Sequence, residues 1–85
     1  MIVSRGKYYP TKAFTQYRED RDWSQDDMAN FLTLQLGRPF SKSLVQKWEQ
    51  GVRSVMPETC IEISKILNIN VSELFEMRGS EPVNG

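Results

Sequence analysis

The chain has 85 residues, 39% of them apolar and 26% charged, with 11 Lys and Arg balanced by 11 Asp and Glu; this is one domain of ordinary globular composition. With no histidine and one cysteine, a disulfide framework, a Cys/His zinc site and a Ser/His or Cys/His catalytic pair are excluded within one chain. No apolar run approaches the roughly 18 to 20 residues of a membrane span, and the opening MIVSRGKYYP has no apolar signal region. The expectation is therefore a cytoplasmic location, no membrane partner and no cofactor.

Taken in order, residues 1–10 read as an N-terminal arm, in which only IVS and KYY offer weak strand signals. A first helix follows over Thr11 to Arg21, where Ala13, Phe14 and Tyr17 share one face. Ser24 opens a second as the N-cap of an S-x-x-D box, with Asp26 and Asp27 in the first turn, where the helix dipole favours acids. Its period of Met28, Ala29, Phe31, Leu32 and Leu36 stops at Gly37, with Pro39 just beyond. Ser41 caps a third helix that Gly51 ends near Gln50. Pro57 suits the first turn of a fourth, whose inner face is Cys60, Ile61, Ile63, Ser64 and Leu67 and whose end is Asn68 in the left-handed conformation. Asn70, with Glu73 three residues on, caps a short fifth helix that turns Val71, Leu74 and Phe75 inward. The final GSEPVNG, residues 79–85, reads as a disordered tail. The fold class is all-α: a bundle of about five helices over residues 11–78.

The zero net charge hides a segregation. Residues 1–12 hold Arg5, Lys7 and Lys12 without an acid, residues 38–53 hold Arg38, Lys42, Lys47 and Arg53 against Glu49 alone, and residues 56–85 hold two bases and five acids. Such asymmetry fits an anion-binding face or plain solvated surface.

At about 100° per residue, Val45 and Trp48 form a narrow inner stripe on the third helix. Ser43, Gln46, Lys47 and Gln50 fall on the opposite face, with Lys42 on the exposed first turn. Lys donates to guanine O6 and N7, Gln pairs with adenine N6 and N7, and Ser addresses either, so these are side chains that read a major groove. Glu49 falls about 40° from Val45, beside the buried stripe. A carboxylate there needs a partner, and Arg18, next to Tyr17 on the first helix, is the predicted one. Trp23, Trp48, Phe31 and Phe40 are assigned to the core rather than to base stacking, as is Cys60. Leu44 has two readings, packing on the second helix or touching a thymine methyl.

The run FTQYREDRDWSQDDMANFL, then FSKSLVQKWEQG, then ETCIEISKILNINVSELF resembles the XRE/Cro-type, lambda-repressor-like helix-turn-helix regulators of phages and bacteria, from about Phe14 to Phe75. The intervening TLQLGRPF lengthens the usual turn by about six residues and is similar to the POU-specific domain in that spacing. The resemblance implies a recognition helix over about 42–50 with Lys42, Ser43, Gln46 and Lys47 reading bases. It implies phosphate contacts from Gln25, Arg18, Ser41, Gln50, Arg53 and Arg38, Gln25 also bracing the first recognition-helix residue. It also implies a structural Arg18–Glu49 pair.

The expected function is a sequence-specific double-stranded DNA-binding transcriptional regulator of repressor type, acting as a homodimer on an operator and nucleoid-associated. Leu34, Met56, Phe75 and Met77 are its candidate dimer contacts, and the N-terminal arm is a candidate to pair across the dyad. The alternative is an interaction module, such as an antitoxin or adaptor, that keeps the fold and holds a protein antagonist or toxin. An enzyme is not expected: there is no metal site, and the adjacent Asp26 and Asp27 point about 100° apart on a helix.

Overall fold

Four of the five helices among the described residues begin at a side chain that accepts an orphan N–H, and the fifth begins with a proline that has none to satisfy. In the computed structural model, which describes residues 7–78, Thr11 accepts from the Ala13 amide to open α1 (Lys12–Asp20). Ser24 and Asp27 complete a reciprocal capping box on α2 (Gln25–Leu36), and Ser41 accepts from the Leu44 amide at the start of α3 (Lys42–Glu49). Pro57 stands at the first turn of α4 (Pro57–Leu67), and Asn70 caps α5 (Val71–Leu74). These are the expected boundaries to within one or two residues, and the described residues are mostly helical, with five helices.

The all-α reading omitted a small sheet. Strand β1 (Lys7–Pro10) pairs antiparallel with β2 (Phe75–Arg78), Tyr8 lying opposite Met77 and Pro10 opposite Phe75. Tyr8 also bridges Val55 on its other side, its carbonyl accepting the Val55 amide at 2.8 Å. Residues 7–10, expected as part of an arm free to pair across a dyad, thus pair within their own chain. Phe75 is buried as expected, but from a strand: the helix stops at Leu74, whose carbonyl accepts the Thr11 amide at 2.8 Å. Val71, expected to point inward, remains 37% exposed. Residues 1–6 of the arm and the tail 79–85 lie outside the described residues.

The core is one cluster that draws on every helix and on β2. Phe14 of α1 meets Trp48 of α3 edge to face at 6.2 Å and Phe75 of β2 at 6.0 Å, while Phe40 meets Trp48 from the other side at 6.0 Å. Trp23 packs at 5.0 Å on Phe31 and at 6.3 Å on Tyr17, a smaller cluster that closes the α1–α2 corner. Cys60 is buried, and burial pushes its thiol up to about 11, the behaviour of a small core residue and not of a reactive thiolate.

Helix α1 ends in a Schellman motif. The Trp23 amide donates to the Arg18 carbonyl and the Asp22 amide to the Glu19 carbonyl, both at 3.0 Å. Asp22 occupies the left-handed position with φ 59°, where glycine carries no Cβ penalty, and its charge sits at the negative end of the helix. Asp22→Gly is expected to stabilise the fold by about 0.5–1 kcal/mol, read as a rise of a few degrees in Tm by circular dichroism.

Candidate nucleic-acid interface

Helix α3 is held by two buried residues, with Leu44 and Glu49 half-buried beside them, and turns its remaining surface outward. Val45 is fully buried and Trp48 is 4% exposed, whereas Lys42, Ser43, Gln46 and Lys47 are all exposed. Both ends are locked. Ser41 Oγ accepts from the Leu44 amide at 3.1 Å, which leaves its hydroxyl proton free to donate outward. At the far end the Val52 amide donates to the Lys47 carbonyl at 2.9 Å and the Gly51 amide to Trp48 at 3.0 Å, with Gly51 at φ 74°. This second Schellman motif requires a residue that tolerates positive φ and sends Gln50 and Arg53 to the surface. Among the described residues, none of Lys42, Lys47 and Arg53 has a carboxylate within 4.0 Å. The polar face is uncovered and net positive.

The angle of that face is set by Glu49. Arg18 donates from Nε and Nη2 to the two carboxylate oxygens at 3.0 and 2.9 Å, and from Nη1 to the Trp23 carbonyl at 3.0 Å. The side chains of Arg18 and Glu49 are only 13% and 8% exposed. The hydrogen bond to Glu49 raises the Arg18 pKa against the opposing effect of burial, so the guanidinium stays charged. Sequence reasoning anticipated this pair, but not its third member: Gln25 Nε2 donates to Glu49 Oε1 at 3.0 Å. One carboxylate therefore ties the first turn of α2 and the last turn of α1 to the last turn of α3. Gln25 was expected to brace the first residue of α3; it braces the last.

Two further side chains order the long connection between α2 and α3. The Thr33 hydroxyl accepts the Phe40 amide at 2.9 Å and donates to the Ala29 carbonyl at 2.9 Å, fixing the turn just before the Ser41 cap. Arg38 stacks over the Phe40 ring at 5.2 Å and donates to Glu62 at 2.6 Å and Thr59 at 3.2 Å. It was expected to contact phosphate; the structure directs it to α4 instead, because a carboxylate lies within reach there. Thr33 had escaped notice, since a threonine inside a helix gives no local sign of a partner seven residues on.

Residues 15–74, more than two thirds of the chain, match the family model described as helix-turn-helix. The chain belongs to the XRE/Cro-type helix-turn-helix family. No curated protein and no solved structure matches it. At the level the family sets, this helix-turn-helix chain is a DNA-binding regulatory domain, of a kind that is not typically enzymatic. Among the described residues, no helix is long and apolar enough to cross a membrane.

Proposed function

We propose that the protein is a sequence-specific double-stranded DNA-binding transcriptional regulator of repressor type that lays α3 in the major groove. The observation that carries this reading is the exposed outer face of α3, where two lysines that have no ion-pair partner among the described residues, a serine and a glutamine stand on a rigidly anchored helix. A helix about 10–12 Å across fits a groove about 12 Å wide. Lys42, Ser43, Gln46 and Lys47 read base edges in this account, while Ser41, Gln50 and Arg53 hold the phosphates at the two ends of the helix. Arg18 and Gln25, already tied to Glu49, and Arg38, paired at the surface with Glu62, are secondary phosphate contacts at most.

One such helix discriminates too weakly. Each good bidentate contact contributes about 1–3 kcal/mol, whereas specific sites need about 4–10 kcal/mol over other DNA. Two copies reading half-sites about 34 Å apart supply the difference. The reading implies a cytoplasmic, nucleoid-associated homodimer on an operator.

Selection from a random DNA pool tests it. Lys47→Ala is expected to change the selected base preference, and Arg53→Ala to weaken all sequences alike and flatten the salt dependence by about 1.8 in log K against log salt, the increment for one phosphate contact in each of the two subunits. Identical preferences for Lys47→Ala and wild type would remove Lys47 from base reading. An interaction module, antitoxin or adaptor, is the second reading, favoured by the zero net charge and the acid-rich residues 56–85. A tight protein partner, with no DNA retained at low salt, would select it.

A further inference from the structure

Among the described residues, five large apolar side chains besides Leu34 stay at the surface: Val52, Met56, Ile61, Val71 and Met77. Ile61, 49% exposed, and Val71 line one apolar groove of about 290 Å³ between α4, α5 and the strands, with Tyr8, Pro57, Cys60 and Phe75 among its other walls. Ile61, expected on the inner face of α4, instead faces outward, and the surface around it carries two charges. On the wheel, Glu58 lies about 60° and Lys65 about 40° from Ile61, on the same flank, with the groove residues Pro57 and Cys60 on the other. Both charged residues are exposed, and among the described residues neither forms an ion pair. Seven residues apart, they stand about 10 Å from each other along the axis, too far to pair within one helix.

That spacing is self-complementary. When two copies of α4 lie antiparallel about a dyad, residues equally far on either side of the dyad face each other. A dyad midway between Ile61 and Glu62 lies three and a half residues from Glu58 and three and a half from Lys65. Glu58 of one copy then meets Lys65 of the other, twice, while Ile61 packs across the centre. A two-fold axis perpendicular to both helices keeps matching flanks together, so the charged flanks meet on one side and the apolar grooves on the other. The antiparallel dipoles add to the match, with the acid in the first turn and the base in the last turn of each α4.

We infer that a second copy of this chain docks on the outer face of α4, centred on Ile61 and registered by reciprocal Glu58–Lys65 pairs. The inference gives the homodimer of the proposed function a surface and rests on that reading for its purpose, but the association is measured without DNA. By sedimentation equilibrium the wild type forms a reversible dimer. Glu58→Lys or Lys65→Glu turns two attractive pairs into two repulsive ones and raises the dimer Kd on the order of tenfold. An equimolar mixture of the two variants regains wild-type affinity as a heterodimer, since it restores two opposite-charge pairs. Ile61→Asp abolishes association. Unchanged circular dichroism establishes that the charge variants fold, both sites being exposed. A chain that stays monomeric at all concentrations, a dimer indifferent to both charge reversals, or a mixture that does not recover would overturn the assignment. A dimer that responds as described but retains no DNA would defeat the DNA-binding proposal alone.

Discussion

Glu49→Ala is expected to lower stability by about 3 kcal/mol, toward the lower end of the cost of leaving one charge of an ion pair uncompensated, because this pair is largely but not fully buried. For a domain of this size that corresponds to a fall in Tm on the order of 20 °C. The loss is large because three donors converge on one carboxylate: the substitution strands the Arg18 guanidinium, only 13% exposed, and releases the Gln25 amide as well. The penalty belongs to the orphaned arginine more than to the attraction itself. The double variant Arg18→Met, Glu49→Leu should therefore recover most of the stability that Glu49→Ala loses, since an apolar replacement of a buried pair is often neutral or better. Thermal melts of the two variants check this. A fall of less than 2 °C for Glu49→Ala would mean that water already solvates the pair. If the double variant folds but binds DNA poorly, the carboxylate serves to set the α3 angle rather than to hold the fold together.

Trp48→Ala should cost a similar amount, about 3–5 kcal/mol. Trp48 lies between Phe14 and Phe40, and such edge-to-face contacts contribute about 0.5–1.5 kcal/mol each beyond the area they bury. The consequence is sharper on α3 than elsewhere, because this eight-residue helix has only two buried residues, Val45 and Trp48. A helix so short has little stability of its own in water, so removing half its anchor releases the surface on which the lysines stand. Urea denaturation should show the loss, with a DNA affinity that falls further than that of Trp48→Phe, which keeps an aromatic ring in place. Equal DNA affinity for Trp48→Ala at temperatures where it remains folded would show that Val45, the caps and the Glu49 contacts position α3 without Trp48.

The parts of this protein that were legible in its sequence are those decided within a few residues. Ser24, Ser41 and Asn70 announce helix starts because their side chains bond to amides two or three residues on, and Gly37, Gly51 and Asn68 mark helix ends because they tolerate positive φ. The outward face of α3 follows from the same kind of local rule, a period of 3.6 residues around Val45 and Trp48. Even the Arg18–Glu49 pair was readable, since a carboxylate beside a buried stripe requires a cation and Arg18 was suitably placed on the adjoining helix.

What the chain did not disclose locally was where distant groups would meet. Strand β1 lies more than sixty residues before its partner β2, and four-residue segments such as KYYP and FEMR carry too little pattern to name each other. Gln25 reaching Glu49 and Arg38 turning to Glu62 depend on the approach of separate helices, and Thr33 bonding Phe40 depends on how the connection after α2 folds back, none of which a wheel or a cap rule encodes. By itself the sequence determined the helices, their limits and the polar face of α3, because those are set by backbone satisfaction and side-chain period. Only the tertiary structure decided which donors share the Glu49 carboxylate, how the long turn is pinned and that Lys7–Pro10 closes a sheet. Each of these depends on the distance between segments that come together only when the core packs.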